Sequence, residues 1–166
     1  MEYLDLYNIN RQKLGTIQRG EKINAGEYIL AVNVWIVNDQ NKILLTQRHP
    51  EKKPNPLKWE STGGAVSIGE DSFTGAIREV YEEIGIKLKS ENGKLLDTII
   101  SEDEIKDIYL FSENVNIEES KLQENEVIDI KWVTKKEFDE MAKKGEIAEP
   151  ILHYMEKLNT LYKWEV

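Results

Sequence analysis

A chain of 166 residues, 40% hydrophobic and 32% charged, holds enough apolar material for one compact core and is too short for two ordinary ones, so residues 1–166 read as a single domain. It contains no cysteine, which excludes disulfides, thiolate metal sites and cysteine nucleophiles and makes a reducing cytoplasm the expected compartment. A formal net charge of −9 argues against broad nucleic-acid binding, and no stretch approaches the about 20 apolar residues that cross a bilayer, so neither polyanion nor membrane is an expected partner.

The N-terminus, from Met1 to Leu6, lacks a basic region followed by an apolar one, and residues 1–27 read as an extension packed on the body of the domain. Tyr28 to Val37 is β-branched and aromatic with no polar face, the pattern of a buried central strand. Asn38 to Asn41 has turn chemistry, and Lys42 to Arg48 returns as a second strand. His49 to Lys58 carries Pro50, Pro54 and Pro56 with Lys52, Lys53 and Lys58, which predicts an irregular, locally basic loop and a candidate anion contact. A short strand from Trp59 to Thr62 leads to Gly63 and Gly64. A helix is expected from Gly69 to Ile84, with Phe73, Ile77, Val80 and Ile84 on its core face, Ser67 and Glu70 as a capping box, and Gly85 as its stop. Strands follow at Leu95–Ser101, Asp107–Val115 and Val127–Val133, then short helices after Thr134 and after Ala148, the last ending near Tyr162. Strands flanked by helices indicate an α/β or α+β sandwich.

Glu79, Glu82 and Glu83 stand three and four residues apart in the last turns of the first helix, so their side chains share one face. Three glutamates alone fit a solvated acidic face equally well. The wider pattern is more specific: Gly64, five residues, Glu70, seven residues, Arg78-Glu79, apolar Val80, Glu82-Glu83, one residue, Gly85 and apolar Ile86. This resembles the Nudix box at every defining position, in the strand, loop and helix setting the motif requires. The resemblance implies an α/β/α sandwich with a mixed central sheet, and a hydrolase that cuts a phosphate anhydride in a small-molecule diphosphate. By the same resemblance, Glu79, Glu82, Glu83 and the Gly63 carbonyl would bind Mg²⁺ or Mn²⁺, hard cations that prefer oxygen ligands. Arg78 is expected to pair with carboxylates such as Glu82 or Glu70 and fix their rotamers, and Glu70 to be mainly structural near the helix start. The general base is open between Glu79 and a later loop carboxylate, with Glu124 and Glu126 as candidates.

Among the basic residues, Arg48, Lys53 and Lys58 are candidate phosphate contacts, Arg48 foremost. Trp35 and Trp59 read as core residues, either of which could edge a base-stacking pocket; His49 and His153 are too isolated to suggest a site. Asp5 to Arg11, Arg19-Gly-Glu21, Gly26 to Tyr28 and Val34 to Ile36 are similar to the Nudix subgroup related to isopentenyl diphosphate isomerases. Those isomerases carry a catalytic cysteine and a metal-binding histidine where this chain has Gly63 and Ala65, and another metal histidine that would fall near Ile29, so their acid/base pair and metal cage cannot be assembled here. A non-catalytic nucleotide-binding module is the other alternative, and the intact glutamates speak against it. A homodimer is compatible with the sequence, which shows no interface for one.

Overall fold

A computed structural model describes residues 1–164. At its centre lies β3 (Ile29–Val37), buried along almost its whole length as its largely apolar sequence, interrupted only by Asn33, requires. Alternate side chains leave it on opposite faces. Leu30, Val32, Val34 and Ile36 join a cluster with Ala76, Val80 and Ile84 of helix α1 (Ser72–Ile84). Trp35 and Val37 join a second cluster with Phe138 and Met141 of α2 (Lys135–Lys143) and Ile151, Met155 and Leu158 of α3 (Glu149–Tyr162). Helices therefore cover both faces of one sheet, the expected α/β/α layering.

The sheet is mixed. β8 (Glu104–Ser112) runs parallel to β3 from Ile29↔Glu104 to Val37↔Ser112, and β7 (Gly93–Ile100) lies antiparallel outside it. The other edge of β3 is shared. β6 (Thr62–Ala65) pairs with residues 31–34, whereas β4 (Ile43–Arg48) meets β3 only at Val37↔Ile43, after the turn. β4 then pairs with β9 (Val127–Val133) and with the two-residue β5 (Trp59–Glu60). The departure of β4 from β3 opens a gap in the sheet, and the candidate site lies there.

Several boundaries differ from the sequence reading. Gly69 has φ +74°, a left-handed backbone that interrupts helical geometry, so α1 begins at Ser72 with Asp71 as its cap, accepting from the Thr74 N–H at 2.8 Å. The Ser67 and Glu70 pair forms, with the Ser67 N–H donating to Glu70 at 3.0 Å, but it closes a turn ahead of the helix. Gly63 and Gly64 lie inside β6 rather than after a strand, and β8 starts three residues earlier than its apolar run suggested. Trp35 and Trp59 are core residues, Trp59 with Lys131 Nζ 4.2 Å from its ring centre.

The N-terminal extension is itself a hairpin, β1 (Tyr3–Tyr7) with β2 (Lys13–Gln18), which the sequence reading left without strands. Two buried carboxylates fasten it to the body. Asp5, 3% exposed, accepts from the Gly69 N–H at 2.8 Å and pairs with Lys13 at 2.7 Å. Asp107 on β8, 2% exposed, takes two bonds from Arg11 at 2.5 and 2.8 Å, with Ser72 Oγ at 2.6 Å and Thr98 Oγ1 at 2.7 Å completing its shell. Tyr7 and Tyr28 exchange two backbone hydrogen bonds of 2.8 Å, continuing the hairpin toward β3. Among the described residues no helix is long and apolar enough to cross a membrane.

Candidate active site

The last turns of α1 carry Arg78, Glu79, Glu82 and Glu83 beneath β6, because Val80 and Ile84 anchor the opposite face in the core. Two of the three glutamates are drawn away from solvent. Glu79 has a side chain only 14% exposed, and its carboxylate lies against Gly64, where an added Cβ would come within 2.5 Å of it. Glu83 is partly buried and faces Glu60 and Glu79, while Glu82 is half exposed.

Arg78 ties this face together. Its Nε donates to Glu70 Oε1 at 2.9 Å, one terminal nitrogen reaches Glu79 at 2.9 Å and Glu82 at 3.0 Å, and the other reaches the Ala65 carbonyl and Glu70, each at 3.0 Å. The planar guanidinium is suited to such a bracket, since its donors point in fixed directions. Glu70 thus holds both Arg78 and the turn entering the helix.

The electrostatics reflect crowding. Burial, with Glu60 and Glu79 nearby, pushes the Glu83 carboxyl up to about 8 against the pull of Lys52 and an amide hydrogen bond from Gly63. Burial also raises Glu79 and Glu60 above the usual carboxylate range, opposed by Arg78 and Arg48 respectively. Partly buried carboxylates that repel one another and offer only hard oxygen atoms fit a divalent cation such as Mg²⁺. With the side chains as placed, no three acidic groups among the described residues surround one point. Arg78 engages one oxygen each of Glu79 and Glu82 instead.

Beside the glutamates opens a cleft of about 350 Å³. Gly63, Gly64 and Glu83 line it, with Arg48, Lys52 and Glu60; Asn33, Ser61, Glu104 and Lys106 line it as well. Of the basic candidates, Arg48 is in the cleft, but it donates to Glu60 at 2.9 Å and to the Pro54 carbonyl at 3.0 Å, bracing the proline loop. Lys58 and Lys53 are not among the lining residues; Lys58 bonds the Gly145 carbonyl after α2, and Lys53 is exposed. Glu126 pairs with Lys52, and Glu124 is exposed in its loop. Glu60 and Lys52 escaped the sequence reading. Glu60 had one signal, its place beside core Trp59 on the strand entering the glycine pair; Lys52 had only the charge of its loop.

The two glycines should respond differently to alanine. Gly64→Ala drives a methyl into the Glu79 carboxylate, a movable side chain, so activity should fall while the melting temperature changes little. Gly63→Ala meets the Val32 carbonyl oxygen at 2.4 Å, which is backbone of the central strand, and should lower the melting temperature by several degrees. Thermal melts of both variants with rate assays check this; equal melting losses would contradict it.

The Nudix domain model matches residues 27–155. An uncharacterised Nudix hydrolase of Listeria monocytogenes is 34% identical over 148 residues, 88% of each chain. Among solved structures, a protein of Deinococcus radiodurans superposes with a TM-score of 0.70 at 23% identity, covering 89% of this chain and 92% of that one. A bifunctional NMN adenylyltransferase/ADP ribose pyrophosphatase of Francisella tularensis, solved with AMP and a manganese ion, gives a TM-score of 0.62 at 20% identity over 83% of this chain and 42% of its own. With the domain model spanning most of its length and a relative matched over 88% of each chain, the chain belongs to the Nudix family of hydrolases.

Proposed function

We propose that this enzyme hydrolyses the diphosphate of a nucleoside diphosphate linked to another moiety, or of a similar compound, with Mg²⁺ or Mn²⁺ as its cofactor. The observation that carries the reading is the crowding of Glu60, Glu79 and Glu83, with Glu82 beside them, at a cleft that also presents Arg19, Arg48, Lys52 and Lys106. Glu79, Glu82 and Glu83, with the Gly63 carbonyl, would hold the cation, which when bound supplies Lewis acidity and offsets the phosphate charge.

The chain's own groups do the rest. Hydrolysis forms a bond from water oxygen to phosphorus and breaks the bridging P–O bond, whose electrons leave with the departing phosphate. The water proton needs a carboxylate. Glu60 and Glu83 line the cleft, whereas Glu126 is engaged by Lys52. Arg78 acts through Glu79 and Glu82 as a positioning residue. Lys52 lines the cleft and would meet phosphate oxygens once released from Glu126. The solved neighbour that carries AMP and manganese supports nucleotides as the first substrates to try.

The isomerase alternative fails on position. Gly63, Ala65 and Ile29 all line the cleft, so the places where a thiol and imidazoles would be needed are present and chemically empty. Phosphate release, read with a coupled phosphatase across ADP-ribose, nucleotide sugars, nucleoside di- and triphosphates and prenyl diphosphates, tests the proposal. Turnover of at least one class is expected with Mg²⁺ or Mn²⁺ and none after chelation with EDTA. Silence across the panel with metal present would favour a binding module, and an isomerised prenyl diphosphate would restore the isomerase.

A further inference from the structure

The family match begins at residue 27, yet the cleft does not. Leu4, Ile17, Arg19, Glu21 and Ile23 of the preceding hairpin and its exit turn line the same cavity as Glu83 and Gly64. Leu4 and Ile17 are register partners in the hairpin, so their side chains leave it on one face. Ile17 and Ile23 are half-buried and flank a closed turn: the Glu21 side chain accepts from the Gln18 N–H at 3.1 Å, and the Glu21 N–H donates to the Gln18 carbonyl at 3.1 Å.

Pro150 and Ile151 of α3 line the cavity as well, and its polar groups include Asn33, Ser61 and Lys106. Ser61 Oγ donates to Asn33 at 2.8 Å, and Lys106 Nζ donates to Tyr154 Oη at 3.0 Å. Apolar side chains with a few fixed polar groups suit a heterocyclic body with ring heteroatoms, rather than a bare polyphosphate. The wall is also rigid. Asp5 and Asp107 anchor the hairpin away from the cleft, and the Arg19 N–H bonds the Glu2 carbonyl at 2.9 Å next to it.

We propose that the N-terminal hairpin selects the substrate: Ile17 and Ile23 form an apolar wall against which the nucleoside of a nucleoside diphosphate packs while its phosphates lie toward the glutamates. This rests on the hydrolase reading and names the part of the site that tells a nucleotide from inorganic diphosphate. Two isoleucines truncated to alanine remove enough apolar contact to weaken nucleoside binding by about tenfold or more.

Calorimetric titration with Mg²⁺ present compares α,β-methylene-ADP with methylenediphosphonate, whose bridges the enzyme cannot hydrolyse. The unaltered protein should prefer the nucleoside compound by at least about tenfold. Ile17→Ala/Ile23→Ala should bring the ratio close to one, and Ile17→Val/Ile23→Val should give an intermediate value. An unaltered protein without preference, or a preference that survives both substitutions, overturns the proposal. If the double variant melts early, Ile23→Ala alone carries the test, since Ile23 lies outside the hairpin ladder. Phosphate release across the diphosphate panel described above is followed in parallel. Preference without turnover would leave the hairpin its role and remove the hydrolase reading; turnover without preference would do the reverse.

Discussion

Replacing Glu83 or Glu82 with glutamine is expected to lower turnover by about a thousandfold or more while leaving the chain folded, because several kcal/mol of charge stabilisation are lost. Glutamine keeps the length of the side chain and removes its charge, so a hard cation loses an anionic oxygen ligand. The reason to expect an intact fold is specific. Glu83 sits partly buried against Glu60 and Glu79, and its charge is a burden on the cation-free protein. Glu83→Gln should therefore melt at the same temperature as the parent or higher when EDTA is present, and should gain less from Mg²⁺. Initial rates and circular-dichroism melts, each with and without metal, separate these effects. Rates within twofold of the parent would remove both residues from the chemistry.

The second large effect concerns the hairpin anchor. Asp107 is 2% exposed; burial pushes its carboxyl up, but hydrogen bonds from Arg11, Ser72 and Thr98 outweigh burial and hold it below its ordinary 3.8. A carboxyl lowered in the folded state contributes stability above its unfolded value, and that contribution is lost as pH falls through the still lower folded value. Arg11→Ala leaves the carboxylate buried with two hydroxyl donors. Breaking a buried pair is costly, and because the Arg11 side chain is 38% exposed the expected loss is discounted to about 2 kcal/mol at neutral pH. The folded carboxyl should also move upward, so acid destabilisation begins at higher pH than in the parent. Urea titrations between pH 3 and pH 7 would show both changes; an unaltered midpoint at pH 7 would mean that the pair does not secure the hairpin.

How far the sequence discloses this architecture depends on the kind of constraint each segment carries. β3 was legible because a strand covered on both faces must be largely apolar, and Ile29 to Val37 is, Asn33 excepted. The end of α1 was legible because Gly85 takes the left-handed backbone that terminates it, at φ +70°. The start was not, since the cap that wins, Asp71, competes with a neighbouring turn of similar chemistry, and the left-handed Gly69 decides between them. The hairpin was missed because β2 faces solvent along much of its length and has no apolar rhythm; its stability resides in pairing and in Asp5 and Asp107, whose partners lie 64 and 96 residues away. In the candidate site, the glutamates and Arg78 follow a local spacing that one helix displays. Glu60, Lys52 and Lys106 share the cleft only because β4 leaves β3, a relation that no short window of residues contains.

The bracket built by Arg78 changes what loading with metal means. On the reading proposed above, an arriving cation would not find idle ligands; it would compete with the guanidinium that already engages Glu79 and Glu82. Affinity would then be the difference between two attractions, which would favour reversible binding. The same guanidinium would neutralise the acidic face whenever the ion is absent.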